Sequence, residues 1–301
     1  MRVLVLGGSG MLGHKLVQRF SRQFDTWTTL RSASAEYRAS GLFAPERTIG
    51  EVDAGRFDTV AHALAQVRPD AVINCIGIVK QSTAGEDPIS AISINALFPQ
   101  LLARECRQCR ARLIHISTDC VFSGRKGTYT EDDPSDAEDL YGRTKCLGEV
   151  SGEGALTLRT SIIGRELKGK NGLLEWLLAS RGRVRGYTHA IFSGLTTLAL
   201  AAVITDVLQQ FPTLSGVLHV SADPISKCDL LCLARDQYQL PVEIEPYPDL
   251  KIDRSLDSTR FRTLTGLAPP SWRTMITAMK QDESPYDQWR NALCTSKASV
   301  S

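Results

Sequence analysis

The stretch Val3–Gly13, with the sequence VLVLGGSGMLG, decides the fold of this chain. Its four apolar residues predict a buried strand, and apolar residues at helical spacing follow it as far as Phe20. Gly7 permits a tight turn, Gly10 lets a pyrophosphate approach the backbone, and Gly13 lets helix and strand pack closely. The turn therefore predicts a dinucleotide site, although a purely structural glycine turn remains an alternative. The predicted cofactor contacts here are Gly7, Ser9, Gly10, Met11, Leu12 and Gly13.

Outward from this turn, short apolar strands alternate with amphipathic helices through the first half of the chain. This rhythm is typical of βαβ units, so we predict an α/β fold of the Rossmann type with a doubly wound parallel sheet. Residues 1–162 are predicted to form the dinucleotide-binding domain, which a late strand at 216–221 rejoins. Residues 163–282 are predicted to form a smaller substrate-binding lobe, with an irregular segment at 241–248, and 283–301 a polar, frayed tail.

Composition and charge limit the classes of molecule that this protein is expected to bind. The chain has 301 residues, 43% hydrophobic and 23% charged, with a net charge of +2, so neither a nucleic acid nor a membrane is an expected partner. The eight cysteines include no complete zinc set, so we expect no metal and predict reduced thiols and a cytoplasmic location. The basic segment Arg181–Arg185 is either a solvated turn or a contact for a diphosphate.

The choice of cofactor depends on the end of the second strand. NAD-binding proteins usually carry an acidic residue there, whereas this chain has Arg31 and Ser32. An arginine can bind a 2′-phosphate, so NADP is favoured and NAD remains possible. Arg31 as a solvated loop residue is the alternative. Asp53 is a candidate for contacting the adenine amino group, capping the next helix, or both.

A second pattern lies in the middle of the chain. Thr118, in the sequence Ser-Thr-Asp, ends a predicted fifth strand, and Tyr141 and Lys145 are spaced four residues apart on one helix face. An ammonium near a phenol favours the phenolate and is expected to lower the pKa of Tyr141. Lys145 can also hold the nicotinamide ribose, and Thr118 can hydrogen-bond a carbonyl oxygen that Tyr141 protonates. Together with the glycine turn, this predicts carbonyl reduction by a nicotinamide cofactor.

At this point the chain resembles an extended short-chain dehydrogenase/reductase, and more narrowly the dTDP-4-dehydrorhamnose reductase family, over about residues 1–280. The segments that carry the resemblance are residues 7–13, Asn74–Gly77, Asn95–Ala96, Ser117–Phe122, Tyr141–Lys145, Arg159–Ser161, Asn171, Phe192–Thr196 and Arg254–Asp257. The resemblance implies catalytic roles for Thr118, Tyr141 and Lys145. It implies cofactor contacts at Cys75, Ile76 and Gly77, with Ile78 beside the nicotinamide, and support from Asn95. It implies substrate contacts at Lys80, Asp119, Asn171 and Arg254.

Three departures bear on the substrate. The family usually has tyrosine in place of Cys120 and tryptophan in place of Ile162, and the loop Ile78–Gln81 also differs. The expected activity is therefore NADPH-dependent reduction of a nucleotide-linked 4-keto-(6-deoxy)hexose, with the rhamnose precursor or a related sugar as substrate. One alternative is a 4,6-dehydratase or epimerase on the same scaffold, although Cys120 stands where related dehydratases carry a carboxylate. The other is a non-catalytic subunit that binds a partner enzyme, and a homodimer is one expected assembly.

Overall fold

A computed structural model describes residues 1–33, 37, 40–79, 86–169 and 172–298 of the chain. Within these residues the central sheet has seven parallel strands in the order β11-β6-β5-β4-β1-β2-β3. Those strands are β1 (Arg2–Leu6), β2 (Asp25–Thr29), β3 (Thr48–Ile49), β4 (Ala71–Asn74), β5 (Arg112–Thr118), β6 (Ala155–Thr160) and β11 (Gly216–His219). The shorter strands are β7 (Ile162–Ile163), β8 (Gly182–Tyr187), β9 (Ala190–Phe192), β10 (Leu195–Thr196), β12 (Ile225–Ser226), β13 (Val242–Tyr247) and β14 (Ile252–Asp253).

Helices connect the strands and cover both faces of the sheet. They are α1 (Gly13–Phe20), α2 (Phe57–Val67), α3 (Pro88–Ala91), α4 (Phe98–Gln108), α5 (Leu140–Leu147), α6 (Leu173–Ala179), α7 (Thr197–Gln210), α8 (Lys227–Tyr238), α9 (Thr259–Thr265), α10 (Trp272–Lys280) and α11 (Tyr286–Ala298). A π-helical turn, Ile92–Leu97, joins α3 to α4, and 3₁₀ turns span Pro45–Arg47 and Asp119–Val121. None of the described helices combines the length and apolarity needed to cross a bilayer.

The parallel sheet explains why β1 is apolar throughout. Its residues Val3–Leu6 are fully buried, because one hydrophobic cluster packs on each face of the sheet. The order of the strands reverses between β1 and β4. In an open α/β sheet, ligands bind at such a reversal, outside the carboxyl ends of the strands. The predicted Rossmann-type fold is confirmed, and it places the glycine turn at this crevice.

The second half of the chain adds three small sheets around the same core. β11 extends the central sheet beside β6, while β8 pairs with β13, β9 with β12 and β14, and β7 with β10. The larger hydrophobic cluster runs without a break from β1 into α7, α8 and α10. The later elements are therefore packed onto the sheet through a shared core.

Two predictions for the later chain are wrong. The predicted tail, 283–301, instead contains the helix α11, whose Tyr286, Trp289 and Leu293 are buried at a spacing of three and four residues. The predicted irregular segment, 241–248, contains the strand β13, in which apolar and acidic residues alternate between buried and exposed. In both segments the few apolar residues do recur at the spacing of a helix or strand, but the many polar residues between them make that pattern hard to recognise in the sequence.

The basic segment Arg181–Arg185 is likewise not a turn. From Gly182 onward it forms β8, which pairs in parallel register with β13. Arg183 forms an exposed ion pair with Glu243 of that strand. Arginine therefore alternates with small residues because the segment is a strand. Its arginines lie opposite acidic residues of β13.

Candidate active site

The glycine turn joins β1 to α1, and each glycine meets a different steric demand. Gly7 has a positive φ of 79°, and a Cβ on Gly13 would lie 2.2 Å from the Gly7 carbonyl oxygen. Among the described residues, by contrast, a Cβ on Gly10 would approach only that oxygen, at 3.3 Å. No side chain caps α1 at Leu12. The exposed backbone of Gly10 and the uncapped N–H groups of α1 together fit a pyrophosphate.

Neighbouring strands hold this turn in place. The Thr29 hydroxyl accepts a hydrogen bond from Gly7 N–H at 3.3 Å, and the Thr29 carbonyl accepts one from Gly8 N–H at 3.0 Å. A Cβ on Gly8 would lie 2.1 Å from the Thr28 hydroxyl oxygen. The need for a glycine at position 8 was not predicted from the sequence, although the two adjacent glycines were the available signal. On the other side, a Cβ on Gly7 would lie 2.9 Å from a side-chain carbon of Ile76, so β4 also closes on the turn.

Three residues predicted for the adenosine end lie at the ends of β2 and β3. Arg31 is exposed just after β2, and the half-buried Ser32 accepts a hydrogen bond from Glu51 N–H through its carbonyl, at 3.2 Å. The Asp53 carboxylate accepts a hydrogen bond from Gly55 N–H at 2.9 Å. The predicted helix cap at Asp53 is wrong, because a turn intervenes and α2 begins only after Arg56.

Thr118 and Tyr141 meet at the carboxyl end of β5. Thr118 is the last residue of that strand, and its hydroxyl oxygen accepts a hydrogen bond from Cys120 N–H at 3.1 Å. The same hydroxyl donates a hydrogen bond to the Asp119 carboxylate at 3.2 Å. Tyr141 lies in the first turn of α5, with its phenol close enough to Thr118 for that side chain to lower the pKa of Tyr141. The two polar groups that the sequence predicted to act on one carbonyl oxygen are therefore adjacent.

Lys145 lies one helical turn beyond Tyr141 and points beneath the crevice. Its Nζ donates a hydrogen bond to the Ile116 carbonyl at 2.8 Å and would lie 3.9 Å from a Cβ on Gly77. Burial lowers the pKa of Lys145 to about 8, although the charge of Glu149 acts in the opposite direction. Burial also raises the pKa of the Cys75 thiol to about 12, so that thiol is neutral.

The pKa of Tyr141 differs from the sequence-based expectation. Burial raises it above the usual value, Cys120 and Asp119 add to the rise, and the hydrogen bond with Thr118 opposes it. The expected lowering by Lys145 is therefore wrong for this structure, in which the ammonium is bound to a backbone carbonyl. A tyrosine with a raised pKa keeps its proton at neutral pH. That is the form a proton donor requires.

A π-helical turn positions the loop after β4. The side chain of Asn95 in this turn accepts a hydrogen bond from Ile78 N–H at 2.8 Å and donates one to the Ile78 carbonyl at 3.0 Å. A Cβ on Gly148 would lie 1.8 Å from the Asn95 carbonyl oxygen, so α5 packs directly against this turn. Asn95 thus acts by fixing backbone next to Gly77, and π-helical turns are frequent at functional sites.

The residues predicted to contact substrate are only partly described. Lys80 and Asn171 lie outside the described residues. Asp119 is buried, and burial raises its pKa against the opposing charges of Arg254 and Lys227. Arg254 Nε donates a hydrogen bond to the Phe122 carbonyl at 2.8 Å, and its Nη1 lies 3.7 Å from Cys120 Sγ. The structure therefore brings Asp119 and Arg254 together beside Cys120, and adds Lys227, which the sequence analysis missed.

A buried ion pair under the site was also missed. Glu149 binds Arg159 of β6 through two hydrogen bonds of 2.7 Å, and both side chains are 8% exposed. Glu149 also accepts a hydrogen bond from Ser117 at 2.7 Å. Glu149 lies just after α5, and nothing in its local sequence signals these partners. Its contacts link the residues that follow the helix of Tyr141 and Lys145 to β5, which ends in Thr118, and to β6.

Comparisons with known proteins agree with this geometry. Residues 1–284 match the model of a family described as the RmlD substrate binding domain. The chain is 34% identical, over 174 residues, to a probable dTDP-4,6-dihydroxy-2-methyloxan-3-one 4-ketoreductase of Streptomyces antibioticus, covering 57% of this chain but only 53% of that relative. It is 28% identical to the spore coat polysaccharide biosynthesis protein SpsK of Bacillus subtilis, covering 94% of this chain and 98% of that one.

A solved structure is also similar over nearly its whole length. It is a hypothetical dTDP-4-dehydrorhamnose reductase from Sulfolobus tokodaii, with a TM-score of 0.75 and 25% identity. The alignment covers 90% of this chain and 98% of that one.

Proposed function

Because the chain belongs to the RmlD substrate binding domain family, we propose that it reduces a nucleotide-linked 4-keto-(6-deoxy)hexose with NADPH. The observation that carries the proposal is that the side chains of Thr118 and Tyr141 lie next to each other at the carboxyl end of β5. This pair lies on the same edge of the sheet as the glycine turn. A ketone held between them would sit where substrates bind in open α/β sheets.

The cofactor site is proposed on the glycine turn. Gly10 presents open backbone, and the uncapped α1 offers N–H donors to the pyrophosphate. Arg31 follows β2 where a 2′-phosphate would be bound, and this favours NADP over NAD. When bound, the reduced nicotinamide supplies a hydride to the carbonyl carbon. Gly77, held near both Asn95 and Lys145, is proposed to line the nicotinamide side.

Side chains of the protein supply and orient the proton that the substrate oxygen receives. Tyr141 donates its hydroxyl proton to the oxygen of the reduced carbonyl, and its raised pKa keeps that proton available at neutral pH. Thr118 hydrogen-bonds the same oxygen and orients it. Lys145, whose Nζ lies beside Gly77, is proposed to hold the nicotinamide ribose and so to fix the cofactor next to Tyr141. Thr118 and Tyr141 would therefore touch substrate directly.

The later part of the chain is proposed to bind the nucleotide-sugar. We assign residues 1–162 to the dinucleotide and residues 163–282 to the substrate. Arg254 and Asp119 flank Cys120 at the boundary between the two. Lys80 and Asn171 are assigned to the substrate by the resemblance.

The dehydratase alternative is less favoured, because it needs a general base next to Asp119. Cys120 occupies that position, and burial raises the pKa of its thiol to about 12, so the thiol is neutral at physiological pH. A partner subunit would have no need for Thr118 and Tyr141 to lie side by side in the crevice. The reductase is therefore the function that the site supports best.

A homodimer and a cytoplasmic location complete the proposal. α3, the π-helical turn and α5 pack against one another, and together they expose large apolar side chains. Those side chains are Ile89, Ile92, Leu97 and Leu147. A second copy of the chain is the proposed cover for this face, since exposed apolar patches mark interaction sites. The cytoplasmic location follows from the prediction of reduced cysteines.

The function is tested with the purified protein and a panel of nucleotide-linked sugars. NADPH oxidation is followed with 4-keto-6-deoxy, 4-keto-amino-deoxy and 4-hydroxy sugars, and the products are identified. We expect oxidation with a 4-keto sugar, slower oxidation when NADH replaces NADPH, and none with the hydroxy sugars. Tightly retained NAD together with dehydration or epimerisation of a hydroxy sugar would contradict the proposal.

The pH dependence of the activity is expected to report on Lys145. Its pKa of about 8 is below the usual lysine value, so the ammonium is present below pH 8 and is lost as the pH rises through 8. We therefore predict that kcat/KM falls on the alkaline side with an apparent pKa near 8. In Glu149→Gln this limb should shift to lower pH, because Glu149 raises the pKa of Lys145. Glu243→Gln, at an exposed ion pair, is the control. An alkaline limb that is identical in both variants would contradict the assignment.

A further inference from the structure

We propose that His14 and Tyr286 are positioning residues for the dinucleotide. They hold the Gly10 carbonyl from the protein side of the glycine turn, and so aim the neighbouring N–H group of Met11 at the pyrophosphate. The inference rests on the proposed function, because it assigns a second layer of residues to the proposed cofactor site. It also gives a role to the C-terminal helix α11, which supplies Tyr286.

The hydrogen-bond chain runs from α11 to the turn through one imidazole. His14 Nδ1 lies 2.8 Å from the Gly10 carbonyl oxygen, and His14 Nε2 lies 2.9 Å from the Tyr286 hydroxyl. A carbonyl can only accept, so Nδ1 carries the proton and Nε2 accepts from the tyrosine. Burial lowers the pKa of His14 to about 4, which agrees with this neutral tautomer. The Tyr286 hydroxyl therefore donates to His14, and His14 in turn donates to the Gly10 carbonyl oxygen.

This hydrogen-bond chain ends at the Gly10 carbonyl oxygen, whose direction sets the orientation of the peptide between Gly10 and Met11. The Gly10 carbonyl oxygen also accepts a hydrogen bond from the His14 backbone N–H, at 3.1 Å, so both donors of His14 hold it. The peptide from Gly10 to Met11 is planar and trans, so its N–H points opposite to its C=O. With the carbonyl held against α1, the N–H of Met11 faces out of the turn. This is the direction from which an anion approaches the N-terminus of a helix.

Buried hydrogen bonds between α1 and the residues just before α11 fix the position of Tyr286. Lys15 Nζ, on a side chain only 1% exposed, donates hydrogen bonds to Asp282 at 2.6 Å and to Ser284 at 3.0 Å. Gln18 donates a further hydrogen bond to Ser284 at 2.7 Å. Burying a lysine is unfavourable unless it is paired, and here its pairing fixes the segment that precedes Tyr286.

The edge of the Tyr286 ring packs on the imidazole of His14, with ring centroids 5.6 Å apart. The ring also lies within cation–π distance of Lys15 and of Arg165, with centroid distances of 5.2 Å and 4.7 Å. Tyr286 therefore has little freedom to leave His14. A purely apolar residue would pack equally well here, so the hydroxyl at this position points to a role in the hydrogen-bond chain.

The test compares two phenylalanine variants that each remove one buried hydroxyl. Tyr286→Phe removes the donor to His14, whereas Tyr238→Phe removes a buried hydroxyl that has no hydrogen-bond partner among the described residues. NADPH affinity is measured by fluorescence titration, together with kcat, the KM for NADPH and the unfolding free energy. For Tyr286→Phe we expect the Kd and KM for NADPH to rise about three- to tenfold, with kcat within about twofold of the parent. Tyr238→Phe should leave the Kd and KM for NADPH and the kcat unchanged.

A double-mutant cycle separates positioning from general destabilisation. His14→Leu should weaken NADPH binding at least as much as Tyr286→Phe, and the double variant should be no weaker than His14→Leu alone, because Tyr286 acts through His14. Additive losses of affinity, or an unchanged Kd in Tyr286→Phe, would overturn the inference. If the parent protein binds no NADPH at all, the proposed function fails instead, and the two failures are thereby distinguished.

Discussion

Replacing Tyr141 with phenylalanine is expected to lower kcat by about 10²- to 10⁴-fold, the range for loss of a positioned general acid. The reason is that the variant keeps the ring but loses the hydroxyl that lies beside Thr118 and is proposed to donate the proton. The Kd for NADPH should change by less than about twofold, because the glycine turn and Lys145 are untouched. Steady-state turnover with the 4-keto sugar found in the panel, and NADPH titration of the same preparation, measure the two effects.

Tyr238→Phe is again the matched control for Tyr141→Phe, since its hydroxyl is buried away from the crevice without a partner among the described residues. It should keep the parental kcat. A Tyr141→Phe variant with full turnover would show that another group protonates the alkoxide. A variant that lost turnover and NADPH binding together would instead show that the tyrosine holds the cofactor or the fold.

Two alanine substitutions in the glycine turn are expected to separate cofactor binding from folding. Gly10→Ala adds a methyl group whose only close neighbour in the described part of the chain is the Gly7 carbonyl oxygen, at 3.3 Å, so the fold should survive. The methyl group would occupy the space proposed for the pyrophosphate. An overpacking cost of about 1–3 kcal/mol would then weaken NADPH binding by about 5- to 150-fold, as measured by titration.

Gly13→Ala should instead destabilise the fold. Its Cβ would lie 2.2 Å from the Gly7 carbonyl oxygen and 3.1 Å from Gly8 Cα, both backbone atoms that cannot move aside. We expect a loss of at least about 1–3 kcal/mol in the free energy of unfolding, measured by urea denaturation. Equal destabilisation by Gly10→Ala and Gly13→Ala, with equal NADPH affinities, would contradict the separate roles of the two glycines.

Much of the fold could be predicted because its signals are local. Apolar periodicity predicts a helix over Phe57–Val67, the bounds of α2. Ser226 and Ser271 are predicted helix caps, and the side chain of each accepts a hydrogen bond from the N–H three residues later. The glycine turn and the end of β5 at Thr118 are likewise fixed by a few adjacent residues.

The rest depends on contacts between distant parts of the chain. His14 and Tyr286 are separated by 272 residues, and neither residue alone signals the hydrogen bond between them. The raised pKa of Tyr141 arises from burial against Cys120 and Asp119, which spacing along one helix does not reveal. The position of Lys227 near Asp119 similarly follows from how the later lobe packs. Such properties arise only when the whole core has assembled.

The most direct test of the account follows the hydride to its destination. The protein is supplied with NADPH carrying deuterium at the transferable C4 position and with the 4-keto sugar nucleotide, and the product is analysed by mass spectrometry and NMR. The account predicts one deuterium on C4 of the product sugar, with the new hydroxyl proton drawn from Tyr141 and hence from solvent. A product without deuterium at that carbon would contradict it.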